Sequence, residues 1–182
     1  MKINPKALLQ EQYLIPVKIV AMYLAWKVFH HFASIPDTAL NHHWLDFVIW
    51  LGSIYAAVCS YILSALGMSA VSEGININLL TSGKQVWVQD HCLAIPAMVI
   101  FTGSVIFFKG SFKDKSIFLA IGLIGITLIN IIRILLVAVA WVYMTPYFFR
   151  INHSMIYVAV MYGFIFYIIT RWMNRIMKKQ AI

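Results

Sequence analysis

The chain has 182 residues, of which 62% are hydrophobic, 15% aromatic and only 11% charged, and its mean hydropathy is +0.84. An ordinary soluble domain is roughly half apolar and a quarter charged, so this composition cannot cover a surface in water and points to a polytopic membrane protein. It also excludes a disordered chain and a nucleic-acid module, and two cysteines are too few for a disulfide scaffold. The net charge of +8 sets 14 Lys and Arg against Glu11, Asp37, Asp46, Glu73, Asp90 and Asp114. In a membrane protein the informative feature of such an excess is where the basic residues fall between the spans.

A bilayer crossing needs about 20 mainly apolar residues. In chain order, 8–32 is the first candidate, but Lys18 and Lys27 interrupt it and His30 and His31 follow, so it reads as a span or as a helix lying in the interface. It lacks the basic start, uninterrupted core and small-residue cleavage site of a signal peptide. Spans are predicted at 44–66, 92–108, 117–144 and 153–170. Trp44, Trp87, Trp141 and Trp172 lie at or near their ends, as interfacial aromatics do. The expected class is therefore all-α: a single domain over 1–182, a helical bundle with four or five transmembrane helices.

The loops set the orientation. Lys109, Lys113 and Lys115 fall between two spans, and Arg171, Arg175, Lys178 and Lys179 lie in a tail over 171–182; both segments are predicted to be cytoplasmic. Segment 67–91 and residues 145–152 then face outward, with only Lys84 and Arg150. Within 67–91, Ile75-Asn76-Ile77-Asn78-Leu79 and Val86-Trp87-Val88 alternate around Thr81-Ser82-Gly83-Lys84, a short extracytoplasmic β-hairpin on the membrane surface. His30, His31, His42 and His43 are predicted to lie on the face opposite Cys92. They lack companion Cys, Asp or Glu at ligand spacing and read as interface residues, so no metal and no cofactor is expected.

Three residues stand out chemically. Arg133 interrupts Leu128-Ile129-Asn130-Ile131-Ile132-Arg133-Ile134-Leu135-Leu136, and near mid-bilayer an arginine costs at least ~2.5 kcal/mol, which marks a functional site; the plain alternative is a side chain that snorkels to the interface. Asn130 lies one turn earlier on the same face. Cys92 opens a span on the external side, where the helix N-terminus is expected to lower its thiol pKa. Cys59 sits inside an apolar run and reads as a buried, inert thiol, and the pair forms no C-x-x-C motif. His153 opens the last span after Asn152, and by itself is as readily a solvated interface residue. His91 adjoins Cys92 but points elsewhere on a helix. Three successive spans thus bring Cys92, Arg133 and His153 to one leaflet. Nucleophile, oxyanion stabiliser and base make a complete acyl-transfer set.

The sequence resembles the exosortase/archaeosortase family of membrane-embedded cysteine transpeptidases over roughly 86–172. The resemblance rests on Val88-Gln89-Asp90-His91-Cys92-Leu93-Ala94-Ile95 before one span, Asn130-Ile131-Ile132-Arg133-Ile134 inside the next, and Asn152-His153 before the last. Family members commonly carry a glycine two positions after the cysteine, where this chain has Ala94, and a polar residue where it has Leu93; these departures bear on the shape of the substrate groove. The chain is also short for the family.

The resemblance implies an enzyme of the cytoplasmic (inner) membrane, multi-pass, with its active site on the extracytoplasmic side. Its partner would be an exported protein ending in a recognition motif, a transmembrane helix and a basic tail. Cys92 would form a thioester, His153 would move the protons, Arg133 would hold the oxyanion, and Asn130 and Asn152 would bind or orient substrate. A lipid, a glycan, another amine or water would release the acyl group. The rival reading is a non-catalytic assembly or partner-binding protein in which Arg133 pairs with a partner's carboxylate. A small transporter fits less well, because embedded carboxylates are absent and the spans are too few for inverted repeats.

Overall fold

The computed structural model describes residues 5–107, 111–143 and 157–180. In chain order these form α1 (Pro5–Ala33), α2 (Ala39–Ala65), β1 (Ala70–Glu73), β2 (Asn76–Leu79), β3 (Lys84–Trp87), one 3-10 turn (Asp90–Cys92), α3 (Ile95–Phe107), α4 (Phe112–Tyr143) and α5 (Tyr157–Gln180). Thr38 explains the break between the first two helices: its backbone is extended and its hydroxyl accepts the Asn41 amide at 3.1 Å, which caps α2.

Helix lengths refine the expected spans. α2 has 27 residues and α4 has 32, and both are apolar enough to cross a bilayer. At 1.5 Å per residue they measure about 40 and 48 Å against a hydrocarbon core of about 30 Å. α3 has only 13 residues, about 20 Å, and the apolar part of α5 is confined to Ala159–Trp172. Among the described residues, two helices rather than four or five are therefore long and apolar enough to cross. The shortening of α3 has a backbone cause. Ala94 takes φ 55, in the left-handed region, so the helix starts at Ile95 and not at Cys92.

The fold is not purely helical either. β2 and β3 form the expected hairpin, with Ile77 opposite Val86, and β1 adds a third antiparallel strand, with Ser72 opposite Ile77. Gly74 and Gly83 supply the positive φ of the two turns. Ile77, Leu79 and Val88 are buried in a core shared with Tyr55, Cys59 and Leu63 of α2 and Ile134 and Ala138 of α4. A second core joins Phe101 of α3, Ile126 of α4 and Met161, Ile165 and Trp172 of α5.

α1 lies along α3. A Cβ on Gly103 would run into the side chain of Met22, and one helix end further His30 Nε2 is 3.3 Å from Asp90 Oδ2. The two helices therefore run antiparallel, and the C-terminal end of α1 stands beside the start of α3. This corrects the placement of His30. Loop charges predict it opposite Cys92, but helix packing brings it to the same turn of chain. α2 then departs from that end, with Trp44 edge-on to Trp26 at 5.7 Å.

Candidate active site

Cys92 closes the 3-10 turn that links β3 to α3. Gln89 is extended, the Cys92 amide donates to the Gln89 carbonyl at 2.8 Å, and the Leu93 amide donates to the Asp90 carbonyl at 3.1 Å. Leu93 and Ala94 are buried beneath the turn, which pins it to the core. On the approach, a Cβ on Gly52 of α2 would stand 2.9 Å from the Val88 carbonyl oxygen, so only a glycine lets the helix come this close.

Two side chains of α4 hold this turn from below. Asn130 is fully buried and its Nδ2 donates to the Cys92 carbonyl at 2.7 Å. Arg133, 8% exposed, donates from Nη1 to the His91 carbonyl at 3.2 Å. A spacing of three residues puts both on one face of the helix, and a guanidinium buried there is stabilised by carbonyl dipoles and by an aromatic face. That face belongs to Tyr157 of α5, whose ring centroid is 4.0 Å from the Arg133 Cζ. The Tyr157 hydroxyl donates to Asn130 Oδ1 at 3.1 Å. Tyr55 of α2 is buried in the neighbouring core.

Of the residues singled out in the sequence, Cys92, Asn130 and Arg133 come together here. Asn152 and His153 lie outside the described residues. Cys59 is buried in the α2 core, away from this turn. Tyr157 is an addition, because a tyrosine in an apolar run looks like core until its hydroxyl is seen to have a partner. Tyr157 does stand four residues after His153, one helical turn, which is the signal available in the sequence.

The turn opens on a cavity of about 190 Å³, bounded by β3 on one side and by Ile134, Val137 and Trp141 of α4 on the other, with Cys92 and Arg133 at its base. Burial pushes the Cys92 thiol above its ordinary pKa, and the positive charge of Arg133 and a backbone contact at Gln89 only partly offset this. The expected lowering by a helix N-terminus does not occur, because α3 begins three residues later and its free amides are not at the sulfur. Burial also disfavours ionised Asp90, but hydrogen bonds from His30, the His91 amide at 2.6 Å and the His91 ring at 3.1 Å outweigh it and hold the carboxyl below its usual value. No group of three or more His, Cys, Asp or Glu is arranged to hold a metal among the described residues.

Apolar helices long enough to span a bilayer, and a cysteine set over an asparagine and an arginine at the end of a short helix, define the class: a membrane protein with a polar thiol site. The chain matches the transmembrane exosortase family over residues 14–173 and belongs to it. That family is broadly one of membrane-embedded, cysteine-type sorting transpeptidases acting on exported proteins. The match takes in most of α1, and α2 and the sheet, as well as the 86–172 segment that carries the motifs. Comparison with curated proteins and with solved structures finds no match.

Proposed function

We propose that this chain is a membrane-embedded cysteine protease or transpeptidase that cleaves the C-terminal sorting signal of exported proteins outside the cytoplasmic membrane. The observation that carries the reading is the double grip of α4 on the thiol-bearing turn, Asn130 on the Cys92 carbonyl and Arg133 on the His91 carbonyl, beneath a cavity open to both Cys92 and Arg133.

In the proposed reaction His153 takes the thiol proton and the Cys92 sulfur attacks the carbonyl carbon of the scissile peptide bond. Burial keeps the thiol protonated, so a base is needed rather than optional. The oxyanion that forms is stabilised by the guanidinium of Arg133. The carbon–nitrogen bond then breaks, the proton on His153 passes to the leaving amine, and an acyl thioester remains on Cys92. An amine, a lipid or glycan acceptor, or water attacks that thioester and restores the thiol. Asn130 orients the turn, and Asn152 is proposed to orient substrate next to His153.

The exposed faces support the membrane reading. On α4, Ile117, Ile121, Ile124, Leu128, Ile132 and Leu136 form one exposed apolar stripe. It is about 28 Å long, close to the bilayer core, and starts just after Lys113 and Lys115. Read as the lipid-facing side of a multi-pass bundle, it ends one turn beyond Arg133. The arginine then stands near the outer edge of the membrane rather than at its middle, which lowers its cost and puts it at the level where a substrate helix emerges. α1, antiparallel to α3, puts its N-terminal end at the Lys113 end, the cytoplasmic side in this reading.

The test is co-expression with a tagged exported reporter ending in a candidate motif, a transmembrane helix and a basic tail. Wild type and Cys59→Ala are expected to process it and Cys92→Ala is not; processing that persists in Cys92→Ala overturns the cysteine mechanism. A membrane-impermeant thiol reagent added from outside is expected to label Cys92.

A further inference from the structure

We propose that the free edge of β3 is the substrate-binding strand: the segment preceding the substrate's transmembrane helix adds to it as an extended fourth strand, held by main-chain hydrogen bonds to Gln85 and Trp87. The inference rests on the proteolytic reading above and says how that site takes its peptide.

The sheet order is β1-β2-β3, so among the described residues β3 has one paired side and one open side. Which residues serve which side follows from the register. The Val88 amide donates to the Ile75 carbonyl at 2.9 Å, and the ladder continues with Val86 opposite Ile77 and Lys84 opposite Leu79. Opposed residues in an antiparallel ladder alternate between hydrogen-bonded and non-bonded pairs, so Lys84, Val86 and Val88 spend their backbone groups on β2. Gln85 and Trp87 turn theirs the other way, and neither makes a backbone hydrogen bond outside the ladder among the described residues.

The open side does not face bulk water alone. It borders the 190 Å³ cavity, whose far wall is the outer end of α4 and whose base is Cys92 and Arg133. Lys84 closes the outer end by donating to the Trp141 carbonyl at 2.7 Å, which ties strand and helix together at the rim of the groove. Four strand residues measure about 13 Å, the reach of a three- or four-residue extended peptide.

The occupant follows from position. A peptide leaving the bilayer next to Arg133 passes through a place with little water, where unpaired amides cost several kcal/mol each. An edge strand aimed at the nucleophile supplies partners for alternate residues and leaves the scissile carbonyl at its end, beside Cys92. Recognition of this kind reads backbone first and side chains second.

Proline separates the two sides of the strand. On an edge strand it is tolerated where the missing amide faces outward and disruptive where the amide is in the ladder. Gln85→Pro is expected to accumulate at the wild-type level but to process the tagged reporter at least about tenfold more slowly. Val86→Pro is expected to lose the folded protein. Gln85→Pro that accumulates and processes like wild type overturns the proposal.

A second measurement does not need catalysis. In a Cys59→Ala, Cys92→Ala background, which has no other cysteine, Gln85→Cys is oxidised against single cysteines placed along the reporter before its helix. Strand addition gives disulfides at alternate reporter positions, and cross-linking at every position or at none overturns it. Failure of wild type to process the reporter while the alternating cross-links appear counts against the catalytic reading and leaves the strand addition standing.

Discussion

Asn130 of α4 donates a 2.7 Å hydrogen bond to the carbonyl oxygen of Cys92, so the helix that carries the arginine also fixes the backbone of the residue that carries the thiol. Asn130→Ala leaves that carbonyl and the Tyr157 hydroxyl without their buried partner. The loss of about 1–3 kcal/mol corresponds to a roughly 5- to 150-fold fall if it is felt at the reacting geometry. Asn130→Asp is expected to do no better, because a carboxylate cannot donate to a carbonyl. Reporter processing alongside the melting temperature in detergent checks this, and an Asn130→Ala variant with unchanged processing contradicts the role.

Tyr157 acts on the same group through two features that substitution can separate. Tyr157→Phe keeps the ring under the Arg133 guanidinium and removes only the bond to Asn130, a loss of about 1 kcal/mol and a few-fold in rate. Tyr157→Leu also removes the cation–π contact, worth about 0.5–2 kcal/mol more. The expected order of processing rates is wild type, then Phe, then Leu, and a Leu variant as active as the Phe variant would show that the ring does not position Arg133.

These relationships show what could be read from sequence. Asn130 and Arg133 were legible because a three-residue spacing on a helix has one geometric meaning, and Cys92 because a thiol at the head of an apolar run is uncommon. Tyr157 was not legible, since hydropathy cannot tell a packed tyrosine from one whose hydroxyl is spent on a buried amide. The position of His30 was missed for another reason: loop charge orders the ends of helices but says nothing about which helix packs on which, and the antiparallel contact of α1 with α3 decides it. The hairpin of β2 and β3 was carried by alternation, whereas Ala70-Val71-Ser72-Glu73 is too short to show a period and becomes a strand by pairing with β2.

The elevated thiol of Cys92 has a sign that can be tested. Burial disfavours the thiolate and Arg133 partly restores it, so alkylation of Cys92 by a neutral reagent is expected to keep rising with pH beyond the range of an ordinary free thiol. Removing the positive charge in Arg133→Leu takes away the offsetting influence and moves the profile to still higher pH. A profile that shifts to lower pH in this variant contradicts the assignment.

Asp90 titrates with the opposite sign. Its carboxyl is held below the usual value by His30 and His91 despite burial, so the ionised form is favoured by folding. Its contribution is complete above the ordinary carboxylate pKa and is lost as pH falls through the lowered one. Asp90→Asn is expected to lower stability at neutral and alkaline pH and to flatten the acid side of the profile, so that the two proteins converge as the pH falls. Melting curves between about pH 3 and 8 measure it, and a difference between the two proteins that stays the same across that range refutes it.

Ala94 joins the thiol turn to α3 with φ 55, where an L residue with a side chain is strained. The resemblance noted a glycine at this place in related chains, and the backbone supplies the reason: the turn must reverse sharply between the Cys92 amide and the first turn of α3. A left-handed alanine costs about 1–2 kcal/mol relative to an unstrained backbone. Glycine removes most of that strain but gives up a methyl that is 95% buried (5% exposed), worth about 0.8 kcal/mol. Ala94→Gly is therefore expected to be neutral or stabilising by up to about 1 kcal/mol, with Cys92 kept in place and processing retained. Ala94→Val, β-branched at the same φ in a closed site, is expected to destabilise by about 2 kcal/mol or more and to displace the turn. Thermal unfolding of both variants decides the matter: a glycine variant less stable than the valine variant would mean that the turn does not require the left-handed backbone at Ala94.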